Sequence, residues 1–135
     1  MRRYAAIAAV VALFATACSP SDSGGASGKP AAALQLSENA NGKTFTVGLG
    51  GSVVVVLHNT YWSMVPKASV LQPVGPPQVQ ASSCPVVGSG CGTMTASYNA
   101  GHVGIATLQA HRTTCGEAKK CVGSESDWSV TVRVS

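Results

Sequence analysis

The five cysteines are the most reactive side chains of this chain, and the spacing of four of them favours disulfide formation. Cys84 and Cys91 flank a short loop segment, as do Cys115 and Cys121. Zinc knuckles usually place their paired cysteines about two to four residues apart, which is closer than either pair here, so we expect no metal. Four cysteines allow three pairings. We favour the local pairs Cys84–Cys91 and Cys115–Cys121, and a pairing between the two loops stays open.

The histidines and acidic residues do not form a recognisable catalytic pattern. The chain has 3 histidines and 5 acidic residues, and the sequence places no acidic residue clearly beside His58 or His111. A nucleophile needs a base within hydrogen-bond reach and a third group that orients the base. No nucleophile elbow, zinc-protease motif or phosphate-binding glycine loop is found. We therefore expect no enzymatic activity and no cofactor.

Alternating apolar and polar residues indicate the strands that must position these groups. Residues 104–111 and 128–134 both alternate, and a turn-rich segment joins them, which predicts an antiparallel hairpin. Ala106, Leu108 and Ala110 share one face of its first strand. A hairpin with one apolar face is marginal in water, so it must pack against another sheet.

Further short strands, punctuated by glycine and proline, complete the predicted domain. The segments with strand-like patterns are residues 34–36, 43–47, 52–57, 69–71, 78–82 and 93–98. Together with the hairpin they predict an all-β fold, an immunoglobulin-like antiparallel β-sandwich of about seven strands. We assign residues 34–135 to this domain.

The N-terminal residues have the pattern of an export signal. Arg2 and Arg3 precede an apolar run that ends at Ala17, and this run is shorter than the roughly 20 residues that span a bilayer. The small residues before Cys18 resemble the signal of bacterial lipoproteins, with Ala15 where leucine is usual. The resemblance implies that Cys18 is lipidated after residues 1–17 are removed. An ordinary secretory signal cleaved near Ala17 is the alternative.

The residues that follow Cys18 have the composition of a tether. Residues 18–33 are rich in glycine and serine, which favours a flexible stalk. We expect a lipid-anchored protein on the extracytoplasmic face of the cell membrane. The formal net charge is +4, and no basic stripe with interleaved aromatic residues occurs, so we expect no nucleic-acid partner.

Three loops should meet at one end of the predicted sandwich and form a surface for a protein partner. Loops on a rigid sandwich are common binding elements, and Tyr, Trp and Arg are common anchors. An alternative is that Trp62 folds back over the open end of the core while Tyr61 covers a sheet edge. The candidate binding residues are Asn59, Thr60, Tyr61, Trp62, Gly88, Gly90 and Arg112.

The order of strands and loops resembles the chagasin-like inhibitors of cysteine proteases. Those immunoglobulin-like domains block a papain-type cleft with three loops, whose motifs are Asn-Pro-Thr-Thr-Gly-Tyr, Gly-x-Gly and Arg-Pro-Trp. Here residues 59–61 retain Asn, Thr and Tyr of the first motif, and residues 88–90 match the second. Arg112 alone remains of the third. The chain also resembles lipoproteins of high-GC bacteria that share a last hairpin closed by cysteines.

We take a membrane-anchored, non-enzymatic binding or structural module of unspecified ligand as the leading hypothesis. The resemblance implies the alternative, a chagasin-like inhibitor of papain-family cysteine proteases.

Overall fold

The computed structural model describes residues 32–65, 70–116 and 119–135. The predicted signal peptide, Cys18 and nearly all of the predicted stalk lie outside these residues. Within them the chain forms two short 3₁₀ helices, Glu38–Ala40 and Gly123–Glu125. The strands are β1 (Leu34–Leu36), β2 (Thr44–Val47), β3 (Ser52–His58), β4 (Ser63–Val65), β5 (Leu71–Pro73), β6 (Gln78–Ala81), β7 (Gly92–Ala100), β8 (Gly104–His111) and β9 (Asp127–Val134).

The strands form two facing sheets, which confirms the predicted all-β immunoglobulin-like sandwich. The first sheet has the order β1-β3-β7-β5, with β6 also paired to β7, and the second has the order β2-β9-β8-β4. The structure describes nine strands where the sequence predicted about seven. Neither sheet is wholly antiparallel, because β1 pairs in parallel with β3 in the first sheet and β2 pairs in parallel with β9 in the second. After β1 the chain crosses to the other sheet, so β2 lies beside the last strand of the domain.

The core lies between the sheets and is built from the faces that the alternation predicted. Along β3, Val53, Val55 and Leu57 are fully buried. The three residues predicted to share one face of β8 are buried, and so are the alternate residues of β9: Ala106, Leu108, Ala110, Trp128, Val130, Val132 and Val134. Trp128 fixes its position by donating its indole N–H to the carbonyl of Ser37 at 2.9 Å. Strand alternation in this sequence therefore reports the two faces correctly.

Three local predictions differ from the structure. Ser63–Val65, which follows the first loop, is an edge strand paired with β8. The strand expected at residues 69–71 is found at Leu71–Pro73, at the edge where a proline without an N–H is tolerated. The alternation of residues 43–47 continues to Leu49, which would place Leu49 on the same side as Phe45 and Val47, but β2 ends at Val47 and Leu49 is 58% exposed in the following turn.

Two disulfides close the loops that contain the cysteines. Cys84 is bonded to Cys91, and Cys115 to Cys121, so the structure contains both local pairs that the spacing favoured. Each bond joins residues within one loop and lies outside the core between the sheets. No helix among the described residues has the length and apolar character needed to cross a membrane.

Candidate functional site

Three loops meet at one end of the sandwich because their strands end there together. His58 at the end of β3 pairs with Thr93 near the start of β7, and His111 at the end of β8 pairs with Asp127 at the start of β9. We call residues 59–62 loop 1, residues 82–91 loop 2 and residues 112–126 loop 3. The end of the domain that carries them is called the loop pole. All seven candidate binding residues lie there.

Loops 1 and 2 are joined by hydrogen bonds. The backbone N–H of Thr60 donates to the carbonyl of Gly90 at 2.8 Å. The hydroxyl of Tyr61 donates to the carbonyl of Gly88, also at 2.8 Å. The two glycines of the Gly-Ser-Gly segment thus supply acceptors to loop 1. Tyr61 packs on loop 2, rather than on a sheet edge as the alternative had it.

Asn59 sets the shape of loop 1. Its φ is 96°, a region that residues with a side chain adopt rarely, with asparagine among the more tolerant. Its side-chain oxygen accepts the N–H of Tyr61 at 2.9 Å, and its amide donates to the carbonyl of Ser89 at 3.3 Å. One side chain therefore stabilises the turn within loop 1 and its contact with loop 2.

Trp62 and Arg112 link loop 1 to loop 3. Trp62 is only 5% exposed, and its indole N–H donates to the carbonyl of His58 at 3.0 Å. The guanidinium carbon of Arg112 lies 4.5 Å from the centre of the tryptophan ring. Its Nε donates to the carbonyl of Glu125 in loop 3 at 2.7 Å. Trp62 therefore closes the end of the core, as in the alternative considered from the sequence, and Arg112 covers its ring.

The exposed apolar residues of the loop pole were not among the candidates. Val86 and Val87, in the segment closed by the Cys84–Cys91 disulfide, are 65% and 81% exposed. Val122 in loop 3 is 70% exposed. The sequence could have indicated this exposure, because the two valines stand between a proline and a glycine. They also lie in a short loop bounded by cysteines, from which they cannot reach the core. These side chains, rather than Tyr61 and Trp62, face outward.

A histidine–carboxylate pair flanks loop 1. The ring Nδ1 of His58 lies 3.2 Å from both carboxylate oxygens of Glu38, whose Oε1 also accepts the backbone N–H of His58. Partial burial acts to raise the pKa of Glu38. Hydrogen bonds from its own backbone, from the His58 backbone and from the His58 ring outweigh burial and leave the pKa lowered. The carboxylate form of Glu38 is therefore the favoured one in the folded protein.

A second pair lies at the base of loop 3. The Asp127 carboxylate is 2.8 Å from Nδ1 of His111 and accepts the hydroxyl of Ser126 at 2.6 Å. The bond from Ser126, followed by that from His111, lowers the pKa of Asp127. The carboxylate lies between the hydroxyl and the ring, whereas a nucleophilic serine must bond directly to its base. This arrangement stabilises the loop and does not activate Ser126.

The described residues contain no group of three or more His, Cys, Asp or Glu side chains that could hold a metal ion. The loop pole presents backbone carbonyls, an aromatic ring covered by Arg112, and exposed valines.

Comparisons with known proteins identify the fold. No family model and no curated protein matches the chain. The crystal structure of EhICP2, a cysteine protease inhibitor from Entamoeba histolytica, is similar with a TM-score of 0.57 and 11% identity. The likeness covers 76% of this chain and 95% of that one. The solution structure of amebosin is similar with a TM-score of 0.53 and 17% identity, covering 76% of this chain and 97% of that one.

These comparisons correct the leading functional hypothesis. A binding or structural module of unspecified ligand is wrong as the main interpretation, because the solved structure of EhICP2, which shares this fold across its length, is that of a cysteine protease inhibitor. The comparison agrees with the alternative and with the expectation that the chain is not an enzyme. What the sequence and structure together establish is an immunoglobulin-like sandwich, similar in fold to EhICP2 and amebosin, whose three loops converge at one pole.

Proposed function

We propose that the chain is an inhibitor of papain-type cysteine proteases, and that the loop pole occupies the protease cleft. The observation that supports this most directly is the convergence of loops 1, 2 and 3 on one pole of a fold similar to that of EhICP2. Inhibition would be non-covalent and steric. The loops fill the cleft and keep substrate away from the protease thiolate.

The bonds between the loops support this proposal because they fix the loops before binding. Thr60 and Tyr61 are hydrogen-bonded to loop 2, and Arg112 of loop 3 makes a cation–π contact with Trp62. Ordering a loop on association reduces affinity, so a surface that is already ordered binds more tightly for the same area. A standard protein interface buries about 800 Å² on each partner, so we expect all three loops to take part in the contact.

The exposed valines supply the apolar centre that such an interface needs. Val86 and Val87 lie at the outer part of loop 2, where Pro85 and the disulfide to Cys91 restrict the backbone. Apolar side chains at the centre of an interface contribute most when they enter a desolvated pocket. We assign to loop 2 the largest share of the apolar contact with the protease.

Inhibition of papain by the purified chain tests the proposal. We expect inhibition at nanomolar concentration, and we expect Val87→Asp to weaken it at least tenfold because a charge would be desolvated without a partner. Val74→Asp is the matched control, since Val74 is also exposed, at 53%, but lies between β5 and β6. Absence of inhibition by the unmodified chain at micromolar concentration would contradict the proposed function.

We also propose that the inhibitor is held at the membrane through lipid on Cys18. The support is the small-residue segment before Cys18 and the glycine- and serine-rich residues after it. Intact mass of the protein purified from a bacterial membrane fraction tests the anchor. We expect a species that begins at Cys18 and carries acyl chains, and a Cys18→Ser variant that lacks the acyl mass. A mature species without added mass would exclude lipidation.

A further inference from the structure

Three large apolar side chains are exposed together at the end of the domain opposite the loop pole. Leu49, Val103 and Ile105 are 58%, 67% and 58% exposed. The N–H of Leu49 donates to the carbonyl of Ser135, which directly follows the last strand, at 3.0 Å. Gly104, between the other two apolar residues, pairs with the last residue of that strand. We call Leu49, Val103 and Ile105 the apolar pole.

The N-terminal chain enters the domain at the apolar pole. β1 runs parallel to β3, and β3 ends at the loop pole, so β1 starts at the opposite end. Ala32 and Ala33, just before β1, line a shallow depression together with residues 48–51. The chain that contains Cys18 is therefore joined to the domain on the side where Leu49 is exposed.

Acidic side chains are distributed unequally between the two poles. Those that the structure describes, Glu38, Glu125 and Asp127, all belong to the loop pole, where Arg112, Lys119 and Lys120 accompany them. Beside the apolar pole, Arg133 pairs with Ile105 in the sheet and is exposed. A surface with exposed apolar residues, an arginine and no described acidic side chain is suited to contact with anionic phospholipid.

We propose that the apolar pole rests on the lipid bilayer, with its three apolar side chains in the headgroup region and Arg133 near lipid phosphate. The exposed residues alone would give weak binding. A tether that enters at the same pole holds the domain at high effective concentration above the lipid, so weak contacts suffice. This surface and its ligand are distinct from the protease-binding loops. The proposal rests on the proposed anchor for its tether, whereas the side of attachment follows from the pairing of β1 with β3.

Hydrogen exchange of the full chain in vesicles of phosphatidylethanolamine and phosphatidylglycerol tests this proposal. Compared with the same protein in detergent micelles, we expect amides in residues 48–51 and 101–105 to exchange several-fold more slowly in vesicles. We expect the backbone amides of loops 1 and 2 to exchange at the same rate in vesicles and in micelles. Should the purified protein carry no lipid, an N-terminal histidine tag on chelating lipid supplies the tether, and the same exchange pattern decides.

A matched pair of variants separates docking from a general effect of the membrane. The triple variant Leu49→Ser, Val103→Ser, Ile105→Ser should lose the protection of residues 101–105. The double variant Val74→Ser, Val79→Ser removes two valines of similar exposure from the β5–β6 edge and should keep it. Equal exchange in vesicles and micelles, or protection of the loop pole instead, would overturn the proposal. Neither result would bear on protease inhibition in solution.

Discussion

At the scale of single residues, the sequence identified the members of the loop pole but not what each side chain does. Tyr61, Trp62 and Arg112 were candidates because such residues often anchor interfaces. In the structure Tyr61 bonds to loop 2, Arg112 covers the ring of Trp62, and Trp62 is buried. Residue type alone could not distinguish these roles, because the bonds depend on loops far apart in sequence. Val86 and Val87, which do face outward, belong to no binding motif, and only their position in a short loop bounded by cysteines could have indicated their exposure.

Gly90 provides the sharpest residue-scale prediction. Its φ is +66°, and a Cβ at this position would overlap the ring of Tyr61. Gly90→Ala should therefore displace Tyr61 and weaken papain inhibition about tenfold or more. Gly75→Ala is the control, because Gly75 has a similar φ of +75° but open space around it. Both variants carry the backbone strain of alanine at positive φ. If the two variants inhibit equally well, the contact of Tyr61 with loop 2 does not shape the binding surface.

The pair of Glu38 and His58 predicts acid sensitivity of the fold. Because folding lowers the pKa of Glu38, the ionised carboxylate contributes stability at neutral pH. This contribution is lost as pH falls below the ordinary glutamate value of about 4.3 and through the lowered one. Glu38→Gln should thus cost more stability at pH 7 than at pH 3, by no more than about 1 kcal/mol because the carboxyl is partly exposed.

Urea unfolding at the two pH values measures this difference, and His58→Ala is the comparison variant. That substitution removes the ring but keeps the His58 backbone N–H, which ranks above the ring among the causes of the lowered pKa. We therefore expect His58→Ala to retain most of the acid dependence. The assignment of the acid dependence to the Glu38 carboxylate would be contradicted if His58→Ala lost the change in stability between pH 7 and pH 3 while Glu38→Gln kept it.

At the scale of elements, the sequence predicted which residues face the core but not how strands pair. Alternation is a local property, so the inward faces of β3, β8 and β9 follow from it directly. The parallel pairs β1–β3 and β2–β9 depend on a crossing between the sheets that no local pattern encodes. β4 has only three residues, too few for alternation to be recognised. Cysteine spacing, by contrast, favoured the disulfide pairs found in the structure.

The two disulfides should contribute differently to function although each closes a loop of similar length. By loop entropy each is worth roughly 2 to 3 kcal/mol of stability. Cys84–Cys91 also holds the carbonyls of Gly88 and Gly90 that loop 1 requires. We therefore expect the Cys84→Ser, Cys91→Ser variant to lose papain inhibition by a larger factor than Cys115→Ser, Cys121→Ser at matched stability.

Inhibition constants and thermal midpoints, measured together for both disulfide variants, separate the effect of each disulfide on inhibition from its effect on stability. Equal losses of inhibition at equal stability would show that loop 2 has no special dependence on its disulfide. The measurement should be made with papain that is reduced beforehand and freed of excess thiol, so that the remaining disulfide stays intact.

At the scale of the whole molecule, the proposed binding loops and the entry of the N-terminal chain lie at opposite ends. The loop pole carries the converging loops, and the N-terminal chain enters at the far end of β1. A domain held through the proposed anchor would present its loops away from the membrane. This arrangement follows from the parallel pairing of β1 and β3, because antiparallel pairing would have brought the tether beside loop 1.

Because the loop pole and the apolar pole lie at opposite ends of the domain, we expect membrane anchoring to leave protease inhibition intact. The full chain bound to vesicles should inhibit papain with a constant within about threefold of that in detergent, since the bilayer and the protease contact opposite ends. A control chain with its tether moved to loop 3, by an affinity tag inserted after Gly116, should lose inhibition on vesicles while retaining it in detergent. A large loss for the unmodified chain on vesicles would mean that the bilayer covers the loop pole. In that case either the tether bends past the domain or the protease binds elsewhere, and the orientation derived from β1 would have to be abandoned.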